Sequence, residues 1–331
     1  MKKLIATLLS TLMIFGLVAC GDTGETGGDA DYVMPAADTV AVGAVLIARD
    51  DVAADDIYAL VSTIFDNTAA IADLHAKGLE LDLNFAASVD GVPYHAGAAK
   101  YFAEKGLNVA AVADNPAGNW TKSLSLTTGS DTGTYYGFGG VLASYVSSNT
   151  DLDISVKAST GSQANIENLV AGSDQIAFTQ SDVLSYAFNG QRLFDEALKG
   201  YSVVAALYME QVQIVTLDEN IVSVADLAGK TVSVGAVGSG AYFNAVDVLG
   251  AYGLTEDDLN PVYQNFGDSA ESLKDGKIDA AFIVAGAPTT AIVDLAQSYN
   301  VHLVNVDGSY ADALLAASPF YSVANIAEGT Y

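Results

Sequence analysis

Residues Thr127 to Gly137 read TTGSDTGTYYG, and the fold turns on them. An alternating run, KSLSL at Lys122–Leu126, precedes the stretch, and GFGGVLASYVSS, with helical spacing, follows from Gly137. The pattern predicts a strand, a glycine-rich turn and a helix beginning near Thr134. Gly129 and Gly133 carry no Cβ, so the backbone of such a turn can come close to a ligand. The first turn of the helix leaves N–H groups without intrahelical partners, at the positive end of its dipole. Together these make a place for an anion that needs no basic side chain. One such turn reads equally well as a plain helix cap, but the pattern recurs. Ser159–Asn165 (STGSQAN) lies between the alternating run Leu152–Ala158 and the apolar stretch Ile166–Ala171. Gly235–Tyr242 (GAVGSGAY) lies between Lys230–Val234 and Phe243–Leu249. Three strand–turn–helix units can aim their helix N-termini into one space, and three caps by coincidence become the weaker of the two readings.

Working outward, strands are expected at 122–127, 152–158, 175–179, 202–216, 230–234, 279–284 and 301–305. Helices are expected at 134–148, 162–171, 181–188, 223–228, 240–252, 268–275 and 288–298. This alternation predicts an α/β protein with mostly parallel sheets. The apolar run Val203–Leu217 is too long for one ordinary strand and reads as a crossing between two lobes; Thr39–Ala48 (TVAVGAVLIA) is the candidate return crossing. A helical period runs from Asp55 to Ala76, a shorter helix from Leu79 to Ala87 and another from Ala98 to Lys105. The expected organisation is a segment at 31–105, a linker at 106–119, a first lobe at 120–202, a hinge crossing at 203–217, a second lobe at 218–310 and a return segment at 311–331. The ligand crevice then lies at the strand C-termini, between the lobes. Two more strand ends point there: Thr179–Asp182 (TQSD) and Ala285–Pro288 (AGAP), with Phe320 and Tyr321 as candidate walls.

Composition narrows the function. The chain has 331 residues, 51% hydrophobic, enough for two lobes, and a net charge of −27 from 13 basic against 40 acidic side chains. Such acidity argues against nucleic-acid binding, which relies on clustered Lys and Arg. Arg49 and Arg192 are the two arginines, so an arginine clamp on a ligand is a scarce option. The single cysteine, Cys20, precludes an internal disulfide or a cysteine zinc site. Lys2 and Lys3, the apolar run Leu4–Leu17 and the sequence LVACG at Leu17–Gly21 predict a lipoprotein signal peptide over 1–20. Cys20 is then the lipidated residue, 21–30 a flexible tether, and the protein extracytoplasmic and anchored to a bacterial membrane. His75, His95 and His302 show no metal-binding spacing, and neither a hydrolase elbow nor a GK[ST] phosphate loop is present. The expectation is a binder rather than an enzyme, with no cofactor and no metal.

The segments GSDTGTYYGFGGVLA, STGSQANIENLVAGSDQIAFTQSDV, SVADLAGKTVSVGAVGSGAYFNAVDVL, LKDGKIDAAFIVAGAPTTAIVDLA and PFYSVANIAEGTY resemble TAXI-type solute-binding proteins of tripartite ATP-independent periplasmic (TRAP) transporters. The resemblance spans nearly the whole mature chain. It implies a type II periplasmic-binding fold of two α/β lobes joined by two hinge strands, and delivery of glutamate, 2-oxoglutarate or a similar carboxylate to TRAP permease subunits. It also implies a ligand site at Ser130, Thr134, Tyr135, Thr160, Gly161, Ser162, Asn165, Gln180, Ser181, Asp182, Gly238, Ser239 and Gly240. The alternative is the binding protein of an ABC transporter for a sulfonate or a pyrimidine-precursor-like ligand. Residues 32–105 resemble the family's C-terminal end yet come first here, which implies a circular permutation joined through Gly106–Asn119.

Overall fold

A computed structural model describes residues 28–29, 31–114 and 122–331. The signal peptide expected at 1–20, Cys20 and most of the expected tether lie outside the described residues. Among the described residues no helix is long and apolar enough to cross a membrane. The protein is a mixed α/β fold built on one ten-stranded sheet with helices packed on both faces.

Two long strands form the middle of the sheet. β1 (Ala37–Arg49) and β5 (Tyr201–Thr216) run antiparallel to each other, pairing from Ala41↔Gln211 to Arg49↔Tyr201. On one side lies a parallel wing of β2 (Ser123–Thr127), β3 (Asp153–Lys157) and β4 (Ile176–Gln180), attached through β4 to Ala44–Ala48 of β1. On the other lies a parallel wing of β6 (Thr231–Ser233), β7 (Asn260–Val262) and β8 (Ala280–Ala285), attached through β8 to Gln211–Thr216 of β5. β9 (His302–Val304) pairs with the end of β5, and β10 (Ser322–Ile326) with the start of β1. β1 thus carries the first wing and β5 the second, and the two strands pair with each other between them. The sequence pattern predicts mostly parallel sheets; the wings are parallel, but every ladder that β1 or β5 forms with another strand is antiparallel, because these two strands join the wings instead of belonging to a βαβ unit.

Burial on both faces explains the near-continuous apolar strands. On β8, Ala280, Phe282 and Val284 enter one core while Ala281 and Ile283 enter another. The first core packs on α8 (Gly240–Ala251) and α11 (Gly308–Ala317), the second on α9 (Phe266–Lys274) and α10 (Thr290–Ala296). The largest core lies under the first wing and gathers α5 (Thr134–Asn149), α6 (Ser162–Val170), α7 (Ser181–Asn189) and the early helices α1 (Ala54–Phe65) and α4 (Ala96–Glu104).

Several local expectations need correction. The helix expected over 55–76 breaks at Asn67, whose φ of −131° is not helical, and resumes only as α2 (Thr68–Ala72). The region around 79–87 is a 3-10 turn, Ala76–Glu80, followed by the single turn α3 (Leu83–Ala86). That turn carries Lys77 into the protein, where Nζ lies 2.5 Å from Glu80 Oε1. Residues 223–228 are a 3-10 turn at Val224–Leu227, and the helix expected from 288 starts at Thr290. β7, β10 and α11 were not expected from the pattern. The first part of the expected linker is held to the body, because Val112 N donates to Tyr94 O at 2.9 Å and Tyr94 N to Ala110 O at 2.7 Å.

Candidate functional site

The Gly/Ser turns face one another across the space between the wings. The turn after β2 supplies Gly129, Ser130, Gly133, Thr134 and Tyr135, that after β3 supplies Thr160, Gly161 and Ser162, and β4 ends on Gln180. The opposite wall is Ala236, Ser239, Gly240 and Ala241 after β6, Asn265 and Phe266 after β7, and Val284 and Ala285 at the end of β8. All six parallel strands therefore present their C-terminal ends to one cavity, the usual position for a ligand in an open α/β sheet. Its volume is about 40 Å³, a few times the room one water needs. The walls already touch. Thr134 Oγ1 donates to Gly286 O at 2.8 Å, Ala164 N to Gly238 O at 3.1 Å, and Ala291 N to Thr132 O at 3.2 Å.

Glycine makes this approach possible at two points. Gly161 has a φ of +124°, and a Cβ there would lie 3.4 Å from Ser239 Cα across the gap. At Gly240 a Cβ would meet Gln180 Oε1 at 1.9 Å and Ser162 Oγ at 2.7 Å.

The cavity's field comes from backbone dipoles. α5 begins on Gly133, α6 on Gly161 and α7 on Gln180, none of which caps its helix with a side chain. With no side-chain cap, the first-turn N–H groups of α5 and the starting N–H of α6 stay available to whatever occupies the cavity, whereas Ala164 N is taken by Gly238 O and the start of α7 by the Asp182 carboxyl. Each helix end favours a nearby anion by about 0.3–1 kcal/mol, and more when partly buried. α8 differs, since Ser239 Oγ accepts from Tyr242 N at 3.2 Å. Among the described residues no lysine or arginine lines the cavity.

One charged residue does. Glu210, on β5, is 2% exposed, and Tyr135 OH donates to its Oε2 at 2.6 Å. Loss of solvation pushes its carboxyl up to about 8; the Tyr135 hydrogen bond opposes this, nearby Asp182 adds to it, and Lys77 and Gln180 oppose it. Gln180, also 2% exposed, leaves Oε1 without a hydrogen-bond partner at the cavity wall. The sequence reading missed Glu210. Its signal was an acidic residue inside the otherwise apolar run Val203–Leu217.

Nine of the thirteen expected site residues line the cavity: Ser130, Thr134, Tyr135, Thr160, Gly161, Ser162, Gln180, Ser239 and Gly240. The other four lie elsewhere. Asn165 is fully buried behind the wall, accepting from Thr127 Oγ1 at 2.8 Å and Ser159 Oγ at 2.6 Å and donating to Thr128 O and to Phe178 O. Its amide is fully used in holding the turn after β3. Ser181 points to the opposite face, where its Oγ accepts from Gly43 N at 3.1 Å. Asp182 is buried and accepts from Asn244 Nδ2 at 3.0 Å, a contact between the wings; burial pushes its carboxyl up to about 6. Gly238, with φ +82°, supplies the carbonyl that receives Ala164 N.

Phe320 and Tyr321 do not wall the cavity. Phe320 lines a separate groove with Ser181, and Tyr321 OH joins Asn244 and Asp247. His75 and His95 cap local helices, with Nδ1 accepting from Lys77 N and Gly97 N, and burial brings His95 down to about 4. Among the described residues no three His, Cys, Asp or Glu side chains gather as a metal site would require.

A sequence profile of the NMT1-like family matches residues 28–106 and 126–331. Similar solved structures include the periplasmic aliphatic sulphonate binding protein SsuA from Escherichia coli, at 19% identity over 56% of this chain and 60% of that one, with a TM-score of 0.36. The alkanesulfonate-binding protein SsuA from Xanthomonas axonopodis pv. citri, bound to MOPS, matches at 19% identity over 56% and 61%, with a TM-score of 0.38. An ancestral arginine-binding protein bound to arginine matches at 18% identity over 56% and 79%, with a TM-score of 0.37. The chain thus spans about 60% of the length of the two sulfonate-binding structures. With most of its length matched by the profile, the chain belongs to the NMT1-like family.

Proposed function

We propose that this member of the NMT1-like family is an extracytoplasmic solute-binding protein that captures a small organic acid between its wings and delivers it to a membrane transporter. The observation that carries the reading is the cavity itself: uncapped helix ends of the first wing and Ser/Thr hydroxyls of both walls converge on it, and among the described residues no basic side chain lines it. Such a lining suits a carboxylate that must be bound and later released. In this reading the two walls are lobes, 120–202 and 218–310, and β1 and β5 are the hinge about which they part and close. The transporter is a TRAP permease, the ligand a carboxylate such as glutamate or 2-oxoglutarate, and Cys20 carries the lipid anchor. The order of segments is a circular permutation; Gly329 N donates to Met34 O at 2.9 Å, so the two regions that an unpermuted chain would connect are adjacent.

The same helix ends would accept a sulfonate, so delivery to an ABC transporter is the second reading. Calorimetry of the purified protein against amino acids, 2-oxo acids, dicarboxylates and alkanesulfonates tests both. Saturable one-to-one binding of a carboxylate supports the first and of a sulfonate alone the second, whereas a flat response across all four classes refutes the proposal. Ser162→Leu, which places a bulky side chain in the cavity, is expected to abolish the binding while the protein stays folded.

A further inference from the structure

The proposed acid site contains a feature that an acid alone does not require. Among the described residues Glu210 is the only acidic or basic side chain lining the cavity, and no lysine or arginine is ion-paired with it. The groups facing it are Tyr135 OH from α5, Gln180 from the end of β4, Asp182 from α7, Tyr208 two residues earlier on β5, and Lys77 from the Ala76–Glu80 turn. Lys77 is the one cation among them. Its ammonium is already engaged by Glu80 Oε1 at 2.5 Å and lies 5.4 Å from the centre of the Tyr208 ring. A carboxylate that is 2% exposed without a cationic partner is costly, and an incoming cation with matching hydrogen bonds removes that cost. The uncapped starts of α5 and α6 ask for the opposite charge. A cavity of about 40 Å³ therefore has a positive pole made of backbone N–H groups and a negative pole made of one side chain.

We propose that Glu210 is the specificity-determining residue of this site: it pairs with a protonated amine while the helix ends hold the carboxylate, so the cavity selects a compact zwitterionic amino acid over the corresponding acid without the amine. The inference rests on the proposed acid-binding function and goes one step beyond it. An acid lacking the amine brings negative charge to Glu210 without neutralising it and binds only with Glu210 protonated. Burial favours that form below about pH 8, so the amine is selected above that pH, where Glu210 ionises. The free side-chain oxygen of Gln180 is a second acceptor for an ammonium in the same cavity.

The test is calorimetry of the wild-type protein at pH 9, above the value near 8 to which burial raises Glu210, against matched pairs on one carbon skeleton: L-alanine with pyruvate, and L-glutamate with 2-oxoglutarate. The amino acid is expected to bind at least tenfold more tightly than its 2-oxo partner in the pair that fits. Glu210→Gln is expected to weaken the amino acid by tenfold or more and to change the 2-oxo acid by less than threefold. Equal affinities within the fitting pair, or a preference for the 2-oxo acid, overturn the assignment and leave the acid-binding function standing. Equal weakening of both ligands in Glu210→Gln also overturns it, since that marks a structural role. Failure of all four compounds to bind overturns the acid-binding function together with this inference. The wild-type comparison requires no variant, so misfolding of Glu210→Gln does not remove the test.

Discussion

Replacing Glu210 by Gln should stabilise the ligand-free protein at alkaline pH and leave it nearly unchanged in acid. Burial raises the carboxyl from 4.5 to about 8, so between these values the folded state binds a proton that the unfolded state releases. Stability therefore falls as pH rises through this window and is lowest above 8. The window spans 3.5 pH units (8 − 4.5), which at about 1.4 kcal/mol per unit places the upper limit near 5 kcal/mol. Gln keeps the size and the acceptor for Tyr135 OH but never ionises. For a chain of this length each kcal/mol moves the midpoint by about 2 °C, so the variant should melt up to about 10 °C above wild type at pH 9. At pH 5 the two should melt within a degree or two. Scanning calorimetry at pH 5, 7 and 9 without ligand makes the comparison, and self-repulsion from the charge of −27 is common to both proteins. Parallel melting curves, with a constant difference at all three pH values, would refute a buried, unpaired carboxyl at this position.

Two further substitutions probe the closed arrangement. Gly240→Ala puts a methyl 1.9 Å from Gln180 Oε1 and 2.7 Å from Ser162 Oγ, so both side chains must shift for the walls to meet as they do here; ligand affinity should fall at least tenfold, and unchanged affinity would contradict closure at this point. Asp182→Asn removes a carboxyl raised from 3.8 to about 6, whose burial weakens the folded state increasingly as pH climbs through that interval. The variant should gain up to about 3 kcal/mol over wild type above pH 6 and nothing below pH 4, and urea unfolding at pH 4 and pH 8 separates these outcomes.

The parts of the fold that could be read from the sequence are those whose cause is local. β1, β5 and the three strand–turn–helix units follow from apolar runs and glycine turns, and their bounds fall within a residue or two of expectation. What was not legible depends on pairing. β7 is three residues containing Pro261, strand-like only because β6 offers it an edge. β10 is largely exposed and owes its extension to the start of β1. The helical period over 55–76 is genuine, but Asn67 and the inward-turned Lys77 interrupt it for tertiary reasons that periodicity does not carry. The antiparallel centre of the sheet was likewise invisible, since strand direction is set by which wing each end joins.

The candidate site divides along the same line. Residues in the turns announce themselves by type, and most of those expected line the cavity; Asn165 and Asp182 have the right chemistry but spend it on the scaffold and on the contact between the wings. Glu210 was missed because its meaning comes from the strand that carries it. It pairs with Val42 of β1, one residue before Gln211 begins the pairing with Ala285 of β8. That is where β5 passes from one wing to the other. A group that neutralises Glu210 therefore acts on the crossing strand itself, while its carboxylate engages helix ends rooted in the first wing. On the proposed reading, occupancy and closure are one event: the ligand's ammonium meets a carboxyl on the strand the two wings share, while its carboxylate is held by helix ends of the first wing.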